Sequence, residues 1–395
     1  MLGKQGFGEL GIIQSTVGMF GTLAGFGLGL TATKYVAELR EKDRDRTSRI
    51  LSLSGVVSWT TGGVAAIILA GLAPWLATQT LAVPQLAGEI RIGALLVFFG
   101  AVNGAQTGAL AGLEAFKQIA HMSFWAGVAN FPCMTIGCWL FGLPGAVWGL
   151  VIAQAFGCAL NRWALAREAR RYGVALWSAR WREELGVLWT FTMPAVAGGL
   201  LTSIARWVSH AIIVRQPDGL AAMATCSVGA QFQTLILFLP ALATQAAFPI
   251  MADLIGRGEL RIAKRFVYRN LAINLGLTSA CCLPLMLFAR PLLGLYGSGY
   301  RGEELVLIIF LLSAVLASAS RFLAQVLASQ DSMRINLVIN LCWSVLLVGC
   351  VALQPAPGAM AFAAAQFTAY LAHFGIPFAH LHRKFKHADY SQVPT

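Results

Sequence analysis

The chain has 395 residues, of which 57% are hydrophobic and only 12% are charged. A soluble globular domain carries about twice that share of charged residues, so lipid must cover much of the surface. The net charge of +12 would favour nucleic acid in a soluble protein, but the basic residues form short tracts between apolar runs, without interleaved aromatic residues. The composition therefore excludes a soluble fold and predicts no nucleic-acid partner.

Eleven apolar runs are long enough to cross the hydrocarbon core, which takes about 20 helical residues. In chain order they span 9–35, 50–77, 92–113, 120–141, 146–165, 185–214, 222–250, 267–288, 304–328, 335–353 and 359–379. An open sheet would leave backbone groups unpaired in lipid. Each run is therefore predicted to be a helix, and the fold class is an all-α integral membrane protein.

Basic residues are concentrated on one side of these helices. Of the 29 Lys and Arg residues, 22 lie in the loops and helix ends of one side, five lie on the other side, and Arg206 and Arg321 lie within helices. Since positive charge stays in the cytoplasm, we predict an inside C-terminal tail and an outside N-terminus. With an odd number of helices, we expect either that the first helix inserts in reverse or that a further helix precedes Met1.

An internal repeat suggests two lobes with the same orientation. Pro144-Gly145-Ala146 is followed by Ala153-Gln154, and 213 residues later Pro357-Gly358-Ala359 is followed by Ala365-Gln366. A repeat of six helices keeps its direction across the membrane. The predicted organisation is an N-terminal lobe of five membrane helices (1–165), a cytoplasmic interfacial linker (166–184), a C-terminal lobe of six membrane helices (185–381) and a cytoplasmic tail (382–395).

The linker carries two tryptophans among arginines. Trp177 and Trp181 are four residues apart and would share one face of a helix. A basic helix with aromatic residues on one face lies on anionic headgroups. We therefore predict a short interfacial helix in this segment.

The 17 acidic residues fall in predicted loops or within about one turn of a predicted helix end. Pumps that bind cations or cationic drugs near the middle of the membrane normally need a carboxylate there. Their positions therefore count against a multidrug–cation exchanger.

Polar residues inside the predicted helices are the candidates for substrate binding. Thr192, Gly199, Ser203, Arg206 and His210 recur along one helical face, and Gln325 follows Arg321 by four residues. The substrate-binding candidates are Arg206, His210, Ser203, Arg321, Gln325, Asn103, Gln106 and Gln231.

Two interpretations of the arginines remain open. In the first, they line a cationic cavity for an anionic substrate, because a guanidinium binds phosphate or pyrophosphate through two parallel hydrogen bonds. In the second, Arg206 snorkels to the outer headgroups and Arg321 to the inner ones. His210 is likewise either a proton carrier or a packing histidine.

No residue pattern predicts an enzyme. The eight cysteines lie within apolar runs without the spacing of a zinc or redox motif, and no nucleophile elbow or phosphate-binding glycine loop occurs. We predict no catalytic residue, no metal site and no cofactor.

Short motifs along the chain resemble one family. They are Leu2-Gly3 with Phe7-Gly8-Glu9-Leu10-Gly11, Gly27-Leu28-Gly29 with Thr33-Lys34-Tyr35, Pro194, the stretch from Gly229 to Pro249-Ile250-Met251, and Leu295-Tyr296-Gly297-Ser298-Gly299-Tyr300. Together they resemble the bacterial oligosaccharide flippases of the polysaccharide transporter family. These belong to the superfamily of multidrug, oligosaccharidyl-lipid and polysaccharide exporters.

The resemblance implies a fold of twelve helices in two lobes around a central cavity, of which this chain lacks the first helix. The implied function is to move an undecaprenyl-pyrophosphate-linked oligosaccharide across the bacterial inner membrane. Its implied partners are that lipid-linked oligosaccharide, membrane lipids and the polysaccharide polymerase machinery. In the family an acid often precedes the arginine of the lobe-opening helix, whereas Ala205 precedes Arg206 here.

Three alternatives remain. They are an exporter of drugs or small metabolites on the same fold, a membrane enzyme of glycan assembly, and an inactive chain.

Overall fold

A computed structural model describes residues 2–25, 27–188, 192–256, 259–328, 333–354 and 358–390. Over these ranges the chain consists of helices and connecting turns, without strands. The α-helices are α1 (Gly3–Gly25), α2 (Leu28–Leu39), α3 (Arg44–Trp75), α4 (Ala87–Gly112), α5 (Phe116–Arg171), α6 (Met193–Val214), α7 (Gly219–Gly256), α8 (Leu260–Leu287), α9 (Ala289–Gly294), α10 (Glu304–Ala328), α11 (Met333–Ala352) and α12 (Ala359–Tyr390). Pro357 of the predicted repeat and residues 391–395 of the predicted tail lie outside the described residues.

The predicted all-α membrane fold is confirmed. By length and hydropathy, nine helical segments of the described chain could cross a membrane, and α6 contributes a shorter apolar helix. One of the nine is α5, whose 56 residues contain two crossings joined at Gly142. Counted this way, the described helices give the eleven crossings that the sequence predicts.

The two halves of α5 form an antiparallel hairpin. Gly142, with φ 62° and ψ −137°, interrupts the helix in a region that L side chains rarely adopt. A Cβ atom on Gly145 would overlap the carbonyl oxygen of Gly137, and one on Gly149 would overlap that of Cys133. Small residues at matched positions therefore let the backbones of the two halves touch, as in other membrane helix pairs.

The first predicted helix is in fact two helices, since α1 and α2 are separated around Gly27, which has φ 61°. α2 then packs closely on α4, where a Cβ atom on Gly108 would overlap the backbone of Gly29. Thr33 Oγ1 donates to the carbonyl oxygen of Gly108 at 3.0 Å, and Arg40 Nη1 donates to that of Gly112 at 3.1 Å. Small residues and side-chain hydrogen bonds to backbone join this pair.

The predicted interfacial helix of the linker is wrong. α5 continues to Arg171, the chain then runs without helix, and only a 3-10 turn, Trp181–Glu184, follows. Two backbone amides of this segment hydrogen-bond to α3: the Ala175 amide donates to Ser48 Oγ at 3.1 Å and the Ser178 amide to Ser52 Oγ at 2.6 Å. Two serines of α3 thus supply acceptors that a helix would have found in its own carbonyls.

By contacts the chain divides into two compact units. One comprises residues 1–2 and 9–207, and the other comprises residues 3–8 and 208–395. The division falls within α6, after Trp207, and the predicted linker between the lobes (166–184) stays a prediction. Side chains of α6 explain this division: Trp207 Nε1 donates to Thr16 Oγ1 at 3.0 Å, so the first part of α6 is tied to α1.

Candidate functional site

The polar stripe of α6 is partly engaged by helix packing in the first unit. The buried Thr192 and Thr31 hydroxyls lie 2.8 Å apart, and Thr22 Oγ1 donates to Ser203 Oγ at 3.2 Å. Hydroxyl pairs of this kind hold membrane helices together. The stripe is therefore a packing face along part of its length.

Arg206 lies between two of these contacts, Ser203 on one side and Trp207 on the other. Its side chain is partly buried. Arg206 precedes the end of α6 by eight residues, which is roughly 12 Å along a helix. It is thus a cation inside a membrane-spanning helix, the position at which a charge is expected to have a functional partner.

His210 belongs to the second unit. It is 8% exposed, and its ring centroid lies 4.8 Å from that of Phe362, with 41° between the ring planes. Contact with an aromatic ring is what a packing histidine shows. The proton-carrier interpretation stays a prediction.

Arg321 and Gln325 lie together, as their spacing predicts, on one face of α10. With Pro240, Thr244 and Ser318 they line a small cavity of about 80 Å³. The Arg321 side chain is exposed, and Gln325 Oε1 is buried without a partner among the described residues. This cavity is far smaller than the roughly 300–1,000 Å³ of common ligand pockets, so it accommodates a polar group but no sugar.

The remaining candidates have separate surroundings. Asn103 accepts a hydrogen bond from Asn161 Nδ2 within the first unit. The exposed Gln231 accepts one from the Tyr296 hydroxyl at 3.2 Å within the second. Gln106 lines a groove described next. The structure thus gives Asn103 and Gln231 partners within their own units.

A groove that the sequence did not predict lies within the first unit. It has a volume of about 580 Å³, within the range of ligand pockets. Its walls are α3, α4, the second half of α5 and the linker at Leu176 and Trp177. Its polar residues include Ser54, Gln106 and Arg162. Arg162 could have been noticed because it lies inside the predicted run 146–165.

An ion-pair cluster closes the linker at the predicted cytoplasmic end. The Glu184 side chain is 7% exposed, and its Oε1 atom accepts hydrogen bonds from Arg46 Nε at 3.1 Å and from Arg49 Nε at 3.2 Å. Beside it, the hydrogen bond from Arg180 lowers the pKa of the exposed Glu183 carboxyl. The cluster fastens the residues before α6 to the start of α3.

One acidic residue lies deeper than the sequence predicts. α1 begins at Gly3, so Glu9 is six residues inside it, roughly 9 Å from its end. Gln85 hydrogen-bonds to Glu9, and Glu89 lies close enough to repel the Glu9 carboxylate electrostatically.

Comparison with solved structures identifies the fold. A multidrug resistance MATE family transporter of the MOP superfamily in its inward-facing conformation superimposes with a TM-score of 0.76, covering 98% of this chain and 92% of that one at 15% identity. A MOP superfamily transporter from Pyrococcus furiosus, described as having a binding pocket of reverse polarity, gives a TM-score of 0.63 over 96% of this chain and 89% of that one, at 15% identity. The chain therefore has the fold of these transporters.

Sequence relatives carry a more specific name. "EPS I polysaccharide export inner membrane protein EpsE" of Ralstonia nicotianae is 24% identical over 320 residues, 78% of this chain and 72% of the relative. The protein of the same name from Ralstonia solanacearum is 23% identical over 318 residues. These names agree with the predicted location of this multi-pass chain in a bacterial inner membrane.

Two family models match. The MatE model covers residues 194–351, and the model described as polysaccharide biosynthesis protein covers residues 1–255. The second match extends over more than half of the 395 residues and confirms the resemblance read from the short motifs. The chain belongs to the polysaccharide biosynthesis protein family.

Proposed function

We propose that the chain moves an undecaprenyl-pyrophosphate-linked oligosaccharide from the cytoplasmic to the outer leaflet of the inner membrane. The product would feed assembly of a cell-surface polysaccharide such as an exopolysaccharide or a lipopolysaccharide. The family match and the printed name of the Ralstonia relatives, a polysaccharide export protein, support this class of cargo. The polymerase machinery that joins the units is the proposed protein partner.

The observation that carries the lipid-pyrophosphate part is the partly buried Arg206 inside α6. A pyrophosphate entering a medium of low dielectric needs its negative charge compensated. A guanidinium supplies that charge together with two parallel hydrogen bonds. Arg321, at the small cavity beside Pro240, is the second candidate for the same role.

A drug exporter is the competing function, and the MATE transporter fold and the MatE model favour it. Exchange of cationic drugs for cations calls for a carboxylate within the membrane. The deepest acid in the described helices is Glu9, near the predicted outer end of α1. The positions of the acids thus favour an anionic cargo over a cationic one.

Complementation distinguishes these functions. The chain is expressed in a strain that lacks its own oligosaccharide flippase, and surface polysaccharide and tolerance to lipophilic cations are both measured. Restored polysaccharide without added tolerance is the expected result. Tolerance without restoration would reverse the ranking.

A membrane enzyme of glycan assembly is distinguished by a covalent product. Purified protein in liposomes is incubated with lipid-linked oligosaccharide, and the recovered lipid is examined by mass spectrometry. We expect an unchanged mass and a changed leaflet. A new glycosidic product would establish an enzyme instead.

A further inference from the structure

The groove of the first unit has the form of a lipid site. Leu51 and Thr60 mark its extent along α3, nine residues or roughly 14 Å of helix. One end meets Trp177 of the linker, beside the basic loops. The other end reaches Trp59 and Phe98, whose rings contact edge to face at 5.0 Å. The groove thus runs from the predicted cytoplasmic surface into the hydrocarbon region.

Its polar residues suit an anion. Arg162 is the one charged residue among those lining the groove, all of which the structure describes, and none of them is acidic. Within the described part of the chain, no ion pair to Arg162 is found. The lining therefore carries a net positive charge that an anionic ligand would complement.

Two further lining atoms lack hydrogen bonds. Ser54 is 3% exposed, and its hydroxyl has no partner among the described residues. Gln106 Oε1, on the facing helix α4, is also buried without a partner. A buried polar atom without a partner costs free energy. The Ser54 hydroxyl would gain from an ester carbonyl that accepts its hydrogen, and Gln106 Oε1 would gain from a ligand hydroxyl that donates to it.

We propose that this groove binds one anionic phospholipid of the cytoplasmic leaflet, with its phosphate on Arg162. An ester carbonyl of the lipid would accept a hydrogen bond from the Ser54 hydroxyl, a headgroup hydroxyl would donate to Gln106 Oε1, and one acyl chain would lie along the apolar wall toward Phe98. A long arginine reaches from a helix toward headgroup level, so Arg162 need not itself lie at the surface. This proposal does not rest on the proposed function, although the sequence also nominates Gln106 as a contact of the cargo.

The test is lipid binding to the purified full chain, measured by native mass spectrometry with phosphatidylglycerol. Arg162→Gln removes the charge, and we expect affinity to fall roughly tenfold or more, since hydrogen bonds to charged groups are among the stronger ones. Arg167→Gln is the matched control. It removes the same charge from the same helix at an exposed residue outside the groove, and should leave affinity unchanged.

A second variant tests the groove without touching the charge. A Cβ atom on Gly55 meets no atom within 4 Å, so Gly55→Leu should fold and project its side chain into the groove that Gly55 lines. We expect it to reduce binding at least as much as Arg162→Gln does. Gly71→Leu is its control, because Gly71 is exposed on the same helix with equal free space.

Four outcomes would overturn the proposal. The first is undiminished phosphatidylglycerol binding in Arg162→Gln or in Gly55→Leu. The second is equally tight binding of neutral diacylglycerol, which would mean an apolar groove only. The third is competition by millimolar inorganic phosphate alone, which would mean a simple anion site. The fourth is a dimer that Gly55→Leu dissociates, which would mean that a second copy covers the groove.

Discussion

Replacement of Arg206 by alanine and by lysine separates the two interpretations of this residue. The contacts on either side of it, from Ser203 to Thr22 and from Trp207 to Thr16, do not use the guanidinium. They should keep α6 in position when the side chain is shortened. We therefore expect both variants to insert into the membrane at wild-type levels.

The size of the effect follows from the hydrogen bonds that would be lost. A hydrogen bond to a charged group contributes about 1.5–3 kcal/mol, so two bonds to pyrophosphate are together worth at least roughly 3 kcal/mol. At about 1.4 kcal/mol per factor of ten, Arg206→Ala should slow transport by roughly a hundredfold or more. Arg206→Lys keeps the charge without the paired geometry, and should lose roughly tenfold.

A snorkelling arginine predicts a different pattern. Surface substitutions away from special features usually change stability by no more than about 0.5 kcal/mol, and lysine snorkels as well as arginine does. Both variants would then transport at nearly wild-type rates.

The assay is surface polysaccharide in a strain without its own flippase, normalised to membrane-inserted protein. Arg215→Ala, an exposed arginine just after α6, serves as the control. Full activity of Arg206→Ala would refute the cavity role and leave Arg321 as the deep cationic candidate.

Three further substitutions test the fold and the competing function. Gly145→Leu should destabilise the α5 hairpin by roughly 1–3 kcal/mol or more, as overpacking does, because a Cβ atom at this position overlaps the backbone of the facing half. Unfolding of the detergent-solubilised protein measures the loss, and a wild-type unfolding midpoint would contradict the prediction. Glu184→Gln leaves Arg49 without its nearer carboxylate. Since Arg46 is 41% exposed, the free energy of unfolding should fall by less than the roughly 3–5 kcal/mol that breaking a fully buried ion pair costs. An unchanged thermal midpoint would show that the cluster is dispensable. Glu9→Gln should leave polysaccharide export intact. Loss of export in this variant would instead favour the competing function, an exporter coupled to cations.

The crossings could be predicted from the sequence because their cause is local. A run of about 20 apolar residues has few alternatives to a helix in lipid, and Pro144-Gly145 marked the start of the fifth crossing. The break near Gly27 was less evident. The glycines there form part of a sequence motif, but whether a glycine interrupts a helix depends on what the backbone on either side packs against. Here the backbone after the break packs on α4, through the close contact between Gly29 and Gly108.

The linker and the groove could not be predicted, since both depend on residues that are distant in the sequence. The segment after Arg171 has the composition of an interfacial helix, yet the hydroxyls of Ser48 and Ser52 offered its amides better placed acceptors. The groove arises where α3, α4 and α5 meet, so Ser54 and Arg162 belong to one site although more than 100 residues separate them. The spacing of polar residues identifies the polar face of a helix, but it does not show which other helix that face contacts.

Asn103 shows the same limit within the candidate site. Asn103 and Gln106 are predicted as cargo contacts because both are polar residues inside one helix. Asn161 Nδ2 instead donates a hydrogen bond to Asn103 and lies 3.4 Å from Thr107 Oγ1. A polar stripe in a membrane helix has two causes, a water-filled cavity and hydrogen bonds to another helix, and the sequence does not distinguish them.

The hydroxyls and the guanidinium of the polar stripe along α6 therefore differ as evidence for a cargo site. Thr192 and Ser203 already have partners on α2 and α1, so their presence in the stripe is explained without any cargo. Arg206 differs from them in carrying a charge, which a pair of packed helices does not need and which costs several kcal/mol to place within the membrane. An anionic cargo therefore requires the Arg206 cation and not the hydroxyls around it. For that reason the comparison of alanine with lysine at Arg206 is decisive, whereas substitution of the hydroxyls would not be.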